Sequence, residues 1–150
     1  MKEYQVRFDG GLDLTKAEPL TDFSFPWLKT PCPETAFRAV WNGLVLSFRF
    51  DVVDDDLVLA EKEDPGEGAL GSDRVEIFFA SSADLESPYY GAEMDPSGRV
   101  YDYKATHYRN IDPGWSFSTL IFGGRIHESG YRVSGQIRIE ELEKLDLLKG

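Results

Sequence analysis

The chain has 150 residues, 41% of them hydrophobic, so it can bury the core of one globular domain, and residues 1–150 are treated as a single domain. Its formal net charge of −11 argues against nucleic acid or an anionic membrane surface as a partner, because both repel an acidic protein. The single cysteine, Cys32, excludes an internal disulfide.

The first residues, MKEYQVRFDGGLDL, lack the apolar run that a signal peptide needs. Nowhere in the chain do about 18 apolar residues follow one another, as a membrane-spanning helix requires. We therefore expect a soluble domain, and the sequence alone leaves its compartment and oligomeric state open.

The clearest local prediction is a hairpin in TAFRAVW-NG-LVLSFRFDV, where two alternating strands flank a two-residue Asn42-Gly43 loop. Pairing Trp41 with Leu44 sets Phe37 opposite Phe48. This register gives Trp41 apolar cross-strand partners, so it predicts a buried Trp41.

Turn residues rich in Gly, Pro, Asp and Asn separate further short strands, which we predict at residues 74–80, 89–94, 99–105, 116–122 and 131–139. Residues 61–72 read as a long loop, and residues 140–148 as a helical turn. In the last strand, apolar residues alternate with polar ones, which gives it one dry face. The pattern predicts an all-β fold, a two-sheet antiparallel β-sandwich of the jelly-roll or immunoglobulin-like type.

Residues 51–76 carry most of the negative charge of the chain. Within them, Asp54, Asp55 and Asp56 follow a predicted strand and supply the hard oxygen ligands that calcium accepts. The run is either a structural calcium site or a solvated acidic turn.

Aromatic residues cluster between positions 89 and 115, and flat rings are suited to stacking on the C–H faces of sugars. The cluster comprises Tyr89, Tyr90, Tyr101, Tyr103, Tyr108 and Trp115. Trp115 follows the turn residues Asp112-Pro113-Gly114, which favours it as an exposed platform at the mouth of a loop.

Signals for catalysis are weak. The sequence has no Gly-x-Ser-x-Gly elbow, phosphate loop or Cys/His zinc spacing, and only His107 and His127 could act as neutral-pH bases. A paired-carboxylate hydrolase is left as the minor enzymatic alternative. We predict that the domain is not an enzyme.

Four segments resemble, in order, the landmarks of carbohydrate-binding module family 9 and its xylanase-associated relatives. They are WNGLVLSFRFDVVDDD, SDRVEIFFASS, YYGAEMDPSGRVYDY and YRVSGQIRIEEL. The resemblance implies a noncatalytic β-sandwich, extracellular or periplasmic, that recognises the end of an oligosaccharide or polysaccharide and can be attached to a glycoside hydrolase. Ala69-Leu70-Gly71 stands where the family has its first clamp tryptophan.

Either the site is rebuilt with other aromatic residues or the sandwich no longer binds sugar. For a rebuilt site, Trp115 is the predicted sugar platform, and the predicted polar surround is Arg74, Glu76, Glu93 and Tyr103. Arg74 and Glu76 are either a hydrogen-bonding floor or members of a cross-strand ion pair. Asp73 is expected to hold the preceding loop or a metal ion.

Two other functions are carried forward. A related sandwich family binds haem for electron transfer through one Met and one His, for which Met94 and His107 are the candidates. The domain could also be an accessory structural or interaction domain of a carbohydrate-active enzyme.

Overall fold

The protein forms two β-sheets packed face to face, as a computed structural model describes it for residues 3–25, 29–84, 87–107 and 109–148. The first sheet has the strand order β1-β2-β3-β9-β8 and the second the order β4-β5-β6-β7. All neighbouring strands pair antiparallel except β1 and β2, which pair in parallel. The predicted β-sandwich is thus confirmed.

The strands of the first sheet are β1 (Arg7–Phe8), β2 (Thr35–Trp41), β3 (Val45–Val53), β8 (Ile121–His127) and β9 (Gly130–Arg138). Those of the second are β4 (Val75–Ala80), β5 (Tyr89–Met94), β6 (Val100–Thr106) and β7 (Asn110–Asp112). Two short helices, α1 (Pro65–Leu70) and α2 (Ile139–Lys144), and one 3-10 turn (Leu14–Lys16) complete the fold. No helix among the described residues is long and apolar enough to cross a membrane.

The core lies between the sheets and follows the alternation of the strands. On β9, Tyr131, Val133 and Ile137 are buried, and the residues between them turn outward, as predicted. Phe48 of the neighbouring strand β3 and Met94 of β5, in the second sheet, are fully buried as well. Each sheet therefore has one apolar face against the other sheet and one outer face turned away from it.

The hairpin of β2 and β3 forms where predicted, but its register is shifted by two residues. Trp41 lies opposite Leu46, not Leu44, because the Asn42 side chain accepts the N–H groups of Leu44 and Val45 and moves the turn to Gly43 and Leu44. Gly43 has a φ of +89°, a conformation that favours glycine. A shift of two residues keeps every side chain on its predicted face.

The predicted burial of Trp41 is wrong. Its side chain is 37% exposed, because it is the last residue of β2 and lies at the rim of the sandwich. Leu46 and Phe8 cover the Trp41 side chain only in part. The ring centroids of Phe8 and Trp41 lie 5.3 Å apart.

The predicted strand at residues 116–122 begins only at Ile121. In the residues before Ile121, backbone N–H groups bind side-chain carboxylates instead of the carbonyl groups of a neighbouring strand. Asp102 accepts the N–H of Phe117 at 2.8 Å, and Glu141 accepts the N–H groups of Ser118 at 2.7 Å and Thr119 at 2.9 Å. Burial opposes ionisation of Glu141, but these hydrogen bonds lower its pKa overall, so the carboxylate fastens the loop to α2.

The predicted loop at residues 61–72 contains α1. Asp64 caps this helix by accepting the N–H of Glu67 at 2.9 Å, and Pro65 occupies its first turn. Asp73 holds the preceding segment, because its carboxylate accepts the N–H of Val58 at 2.8 Å while its own N–H bonds the Val58 carbonyl.

Candidate functional site

The outer face of the second sheet gathers four of the five predicted sugar-binding residues. The register sets Glu76 of β4 opposite Glu93 of β5, and Glu93 opposite Tyr101 of β6. Two residues further along β4, Phe78 lies opposite Gly91, and Gly91 lies opposite Tyr103 of β6. Residues directly opposite share a face, so two carboxylates and three rings lie together on this surface.

Three rings form a row around Gly91. The Tyr103 ring lies across this glycine, since a side-chain carbon there would come within 2.7 Å of the ring. The Phe78 and Tyr101 ring centroids lie 6.5 Å and 5.3 Å from that of Tyr103. Phe78 is 52% exposed and Tyr103 only 8%, so Phe78 is the ring of this row most open to a ligand.

Arg74 contacts both carboxylates of this face, Glu76 and Glu93. Its Nε lies 2.8 Å from Oε1 of Glu93, and its Nη2 lies 3.5 Å from Oε1 of Glu76. The predicted cross-strand ion pair therefore exists. Arg74 also donates to the Leu70 carbonyl at 3.1 Å, which ties the site to the end of α1.

Glu76 holds its proton more tightly than an isolated glutamate does. Burial, a hydrogen bond with Glu93 and the negative charge of Glu93 raise the pKa of Glu76 to about 7, against the opposing effect of Arg74. Glu93 itself is buried beside Tyr103. Burial and the two nearby carboxylates also raise the pKa of Tyr103, so its hydroxyl stays protonated.

A cavity of about 430 Å³ lies beside Arg74 and Glu76. Arg74 and Glu76 line it from the second sheet, and Phe50, Val52 and Tyr131 line it from the first. Charged and polar groups thus line this cavity together with apolar ones, a combination also found in small-molecule sites.

Asp95 and Arg99 hold the loop beside the site, and sequence reasoning missed both. Asp95 is fully buried and accepts the Nε–H of Arg99 at 2.6 Å. Arg99 also donates to the Ala60 carbonyl at 2.7 Å and to the Ser72 hydroxyl at 2.9 Å. The D-P-S-G turn signalled that Asp95 caps its own loop, but nothing local signalled that Arg99 reaches a segment 39 residues away.

Trp115 lies apart from the other four residues. Its ring packs on Tyr90 at 4.9 Å and on Phe117 at 4.7 Å, on the side of the second sheet that faces the core. Its remaining surface lines a separate cavity of about 260 Å³ beside α2. Its role as a sugar platform stays a prediction. Tyr108, the other aromatic expected nearby, falls outside the described residues.

The three aspartates of the predicted calcium site do not converge. Asp54 accepts the N–H of Asp56 at 2.9 Å, and the side chains of Asp55 and Asp56 are exposed. Within the described part of the chain, no group of three or more His, Cys, Asp or Glu residues could hold a metal ion. Calcium binding stays a prediction to which this geometry adds no support.

Met94 and His107 lie too far apart to share a haem iron. Met94 pairs with Val100 at the start of β6 and is fully buried, whereas His107 follows the end of β6 and is exposed. At about 3.3 Å per residue, the strand separates them by roughly 20 Å. The haem alternative fails on this distance.

Comparison with known proteins supports the fold and gives a family. The profile of the family described as "Carbohydrate family 9 binding domain-like" matches residues 13–147. No curated protein sequence matches the chain.

Among solved structures, the chain is similar to a carbohydrate binding module family 9 from Caldicellulosiruptor kristjanssonii in complex with cellotriose, with a TM-score of 0.65 and 17% identity. The match covers 91% of this chain and 67% of the other. A second structure from that organism, in complex with glucose, has a TM-score of 0.59 and 17% identity over 87% of this chain and 63% of the other. The chain thus spans about two thirds of the length of these structures, and the likeness shows a shared fold.

Proposed function

The chain belongs to the carbohydrate family 9 binding domain-like family, and from this premise we propose that the outer face of its second sheet binds a sugar or the end of a glycan. The family is one of noncatalytic carbohydrate-binding modules, so the domain binds its ligand without transforming it. Attachment to a glycoside hydrolase, such as a xylanase, is proposed only by analogy with the family.

One observation carries the location. The exposed Phe78 ring and the Arg74, Glu76 and Glu93 cluster lie on one face, about two residues apart along β4. A ring covers the apolar C–H face of a sugar, while carboxylates and a guanidinium exchange hydrogen bonds with its hydroxyls. Phe78 thereby supplies an exposed ring in a chain that has Ala69-Leu70-Gly71 where the family has its first clamp tryptophan.

Titration calorimetry of Phe78→Ala tests the proposal, with glucose and cellotriose as probes. Removing the exposed ring should weaken binding by about 1–3 kcal/mol, roughly tenfold or more. Phe8→Ala is a matched control, because Phe8 is 62% exposed and lies on β1 of the other sheet. That variant should bind as the wild type does.

Equal losses in both variants would contradict the location of the site. If the wild-type protein binds neither these sugars nor xylo-oligosaccharides at millimolar concentration, sugar binding fails for this chain. A structural or interaction role would then replace it.

A further inference from the structure

The outer face of the first sheet carries a cluster of arginines in a strongly acidic protein. Arg38 lies opposite Arg49 across β2 and β3, and Arg132 lies opposite Arg125 across β9 and β8. The strand order places these two pairs side by side on neighbouring rows. These four residues are called the arginine face.

Carboxylates compensate only part of this charge. Asp51 stands among the arginines, with its Oδ1 2.6 Å from Nε of Arg132 and its Oδ2 3.1 Å from Nε of Arg49 and 3.9 Å from Nη1 of Arg38. Asp13, on the 3-10 turn that contacts β2 and β3, has its pKa lowered by hydrogen bonds from Thr15 and further by the charges of Lys16 and Arg49. Asp51 thus contacts three of the four guanidinium groups, and the nearby Lys16 pairs with Asp9.

Several donors of these arginines make no hydrogen bond to another protein group. Nε of Arg49 is buried without a hydrogen-bond partner, although Asp51 lies close enough for an ionic contact. Among the described residues, Arg38 and Arg49 donate no side-chain hydrogen bond and Arg125 makes no ion pair. Like charges placed directly opposite on a sheet are destabilising, and such local conflicts concentrate at functional sites.

We propose that the arginine face is a second binding site, which takes the carboxylate groups of an acidic sugar. Guanidinium groups present paired N–H donors that match the two oxygens of a carboxylate. The polar floor of Ser47, Ser134 and Gln136 on the same face supplies partners for sugar hydroxyls. The ligand class rests on the proposed carbohydrate-binding function, but the location does not, because this face lies on the opposite side of the sandwich from Phe78.

Calorimetry with trigalacturonate as the charged probe and cellotriose as the neutral one tests this inference. The wild type should bind trigalacturonate, and Arg49→Gln should weaken that binding about tenfold or more. Raising sodium chloride from 20 mM to 200 mM should weaken it further, because Arg125 is exposed and the Arg132 side chain is 42% exposed, so salt screens their attraction for the carboxylates. The urea midpoint of Arg49→Gln should stay close to that of the wild type, since the substitution removes the like-charge pair with Arg38 together with the contact between Arg49 and Asp51.

Lys62→Gln is the matched control, because it makes the same change of charge at an exposed position in the segment before α1. It should leave the affinity for trigalacturonate unchanged. An equal loss in this control, or no loss in Arg49→Gln, would overturn the assignment. Sulfate binding as tightly as trigalacturonate would show an anion site without a sugar component and would also overturn it.

The experiments can contradict the two proposed sites independently. If cellotriose binds and trigalacturonate does not, the arginine inference is wrong and the function proposed for the second sheet stands. If Phe78→Ala removes binding of trigalacturonate, the acidic sugar occupies the second sheet instead, and the arginine inference is again overturned. If trigalacturonate, glucose, cellotriose and xylo-oligosaccharides all fail to bind, both proposals fail.

Discussion

On the outer face of the second sheet, Gly91 and Arg74 allow the neighbouring side chains to take their positions. Gly91 has no side chain, and that absence lets the Tyr103 ring lie on the strand between Phe78 and Tyr101. Arg74 similarly makes the approach of two carboxylates tolerable, because its guanidinium contacts both. The flat ring surface and the acidic pair therefore depend on residues that a ligand need not touch.

Trp115→Ala distinguishes a sugar platform from a packing residue. Because the ring packs on Tyr90 and Phe117, we expect the truncation to lower the free energy of unfolding by about 3 kcal/mol. Binding of glucose and cellotriose should change less than twofold. A urea melt and a calorimetric titration of the same variant measure both quantities. Normal stability with a tenfold loss of affinity would instead support the platform predicted from sequence.

Glu76 gives stability a pH dependence of a definite sign. Its pKa of about 7 in the folded protein exceeds the ordinary value of 4.5, so the folded state holds the proton more tightly. Its contribution to stability is full below about pH 4.5, decreases as pH rises to about 7, and stays constant above that. Water screens this half-exposed carboxyl, so we expect the change to be only about 1 kcal/mol.

Glu76→Gln should remove this dependence. At pH 8 the variant should be more stable than the wild type by about 1 kcal/mol, because it removes a negative charge beside Glu93. At pH 5, where Glu76 is protonated, the two should melt alike. Urea melts at pH 5, 6, 7 and 8 measure the difference, and the exposed Glu63→Gln is the control. Parallel profiles for all three proteins would mean that Glu76 does not hold this proton.

At the scale of elements, the strands follow their hydrophobic alternation, while carboxylates decide the segments between them. Asp64 begins α1, Asp95 closes the turn between β5 and β6, and Glu141 fastens residues 118 and 119 to α2. The Asp-Pro-Gly-Glu sequence of α1 already contains a helix cap and an N-terminal proline, so this short helix was readable. The bonds from Asp102 and Glu141 were not, since their partners lie 15 and 22 or 23 residues away.

Calcium is tested on the turn that follows β3. A ligand that binds only the folded state raises its melting temperature, so a site formed by Asp54, Asp55 and Asp56 would give a rise at 1 mM calcium and a fall with chelator. Because Asp54 already accepts the Asp56 N–H and the other two side chains are exposed, we expect no shift. Calorimetric scans with calcium, magnesium and chelator measure it. A rise with calcium alone would establish the predicted site.

At the scale of the whole molecule, the two sheets present chemically different outer faces. The second sheet combines exposed aromatic surface with a carboxylate pair, and the first combines arginines with hydroxyl and amide groups. Net charge did not reveal this division, because a total of −11 averages over both faces. The sandwich keeps the faces apart by placing the common core between them.

The sequence by itself determined the sandwich and most strand positions, because period-two alternation fixes which side chains of a strand share a face. It predicted Arg74, Glu76, Glu93 and Tyr103 as the polar surround of a sugar; the strand register brings them to one face, and their contact with a sugar stays a prediction. It could not determine the exposure of Trp41, which depends on its place at the rim, or the packing of Trp115 behind the second sheet. Nor could it reveal Phe78 as the open ring or the arginine face. Those features arise where strands distant in the chain become neighbours, and the order and register of strands are decided by the packing of the two sheets together.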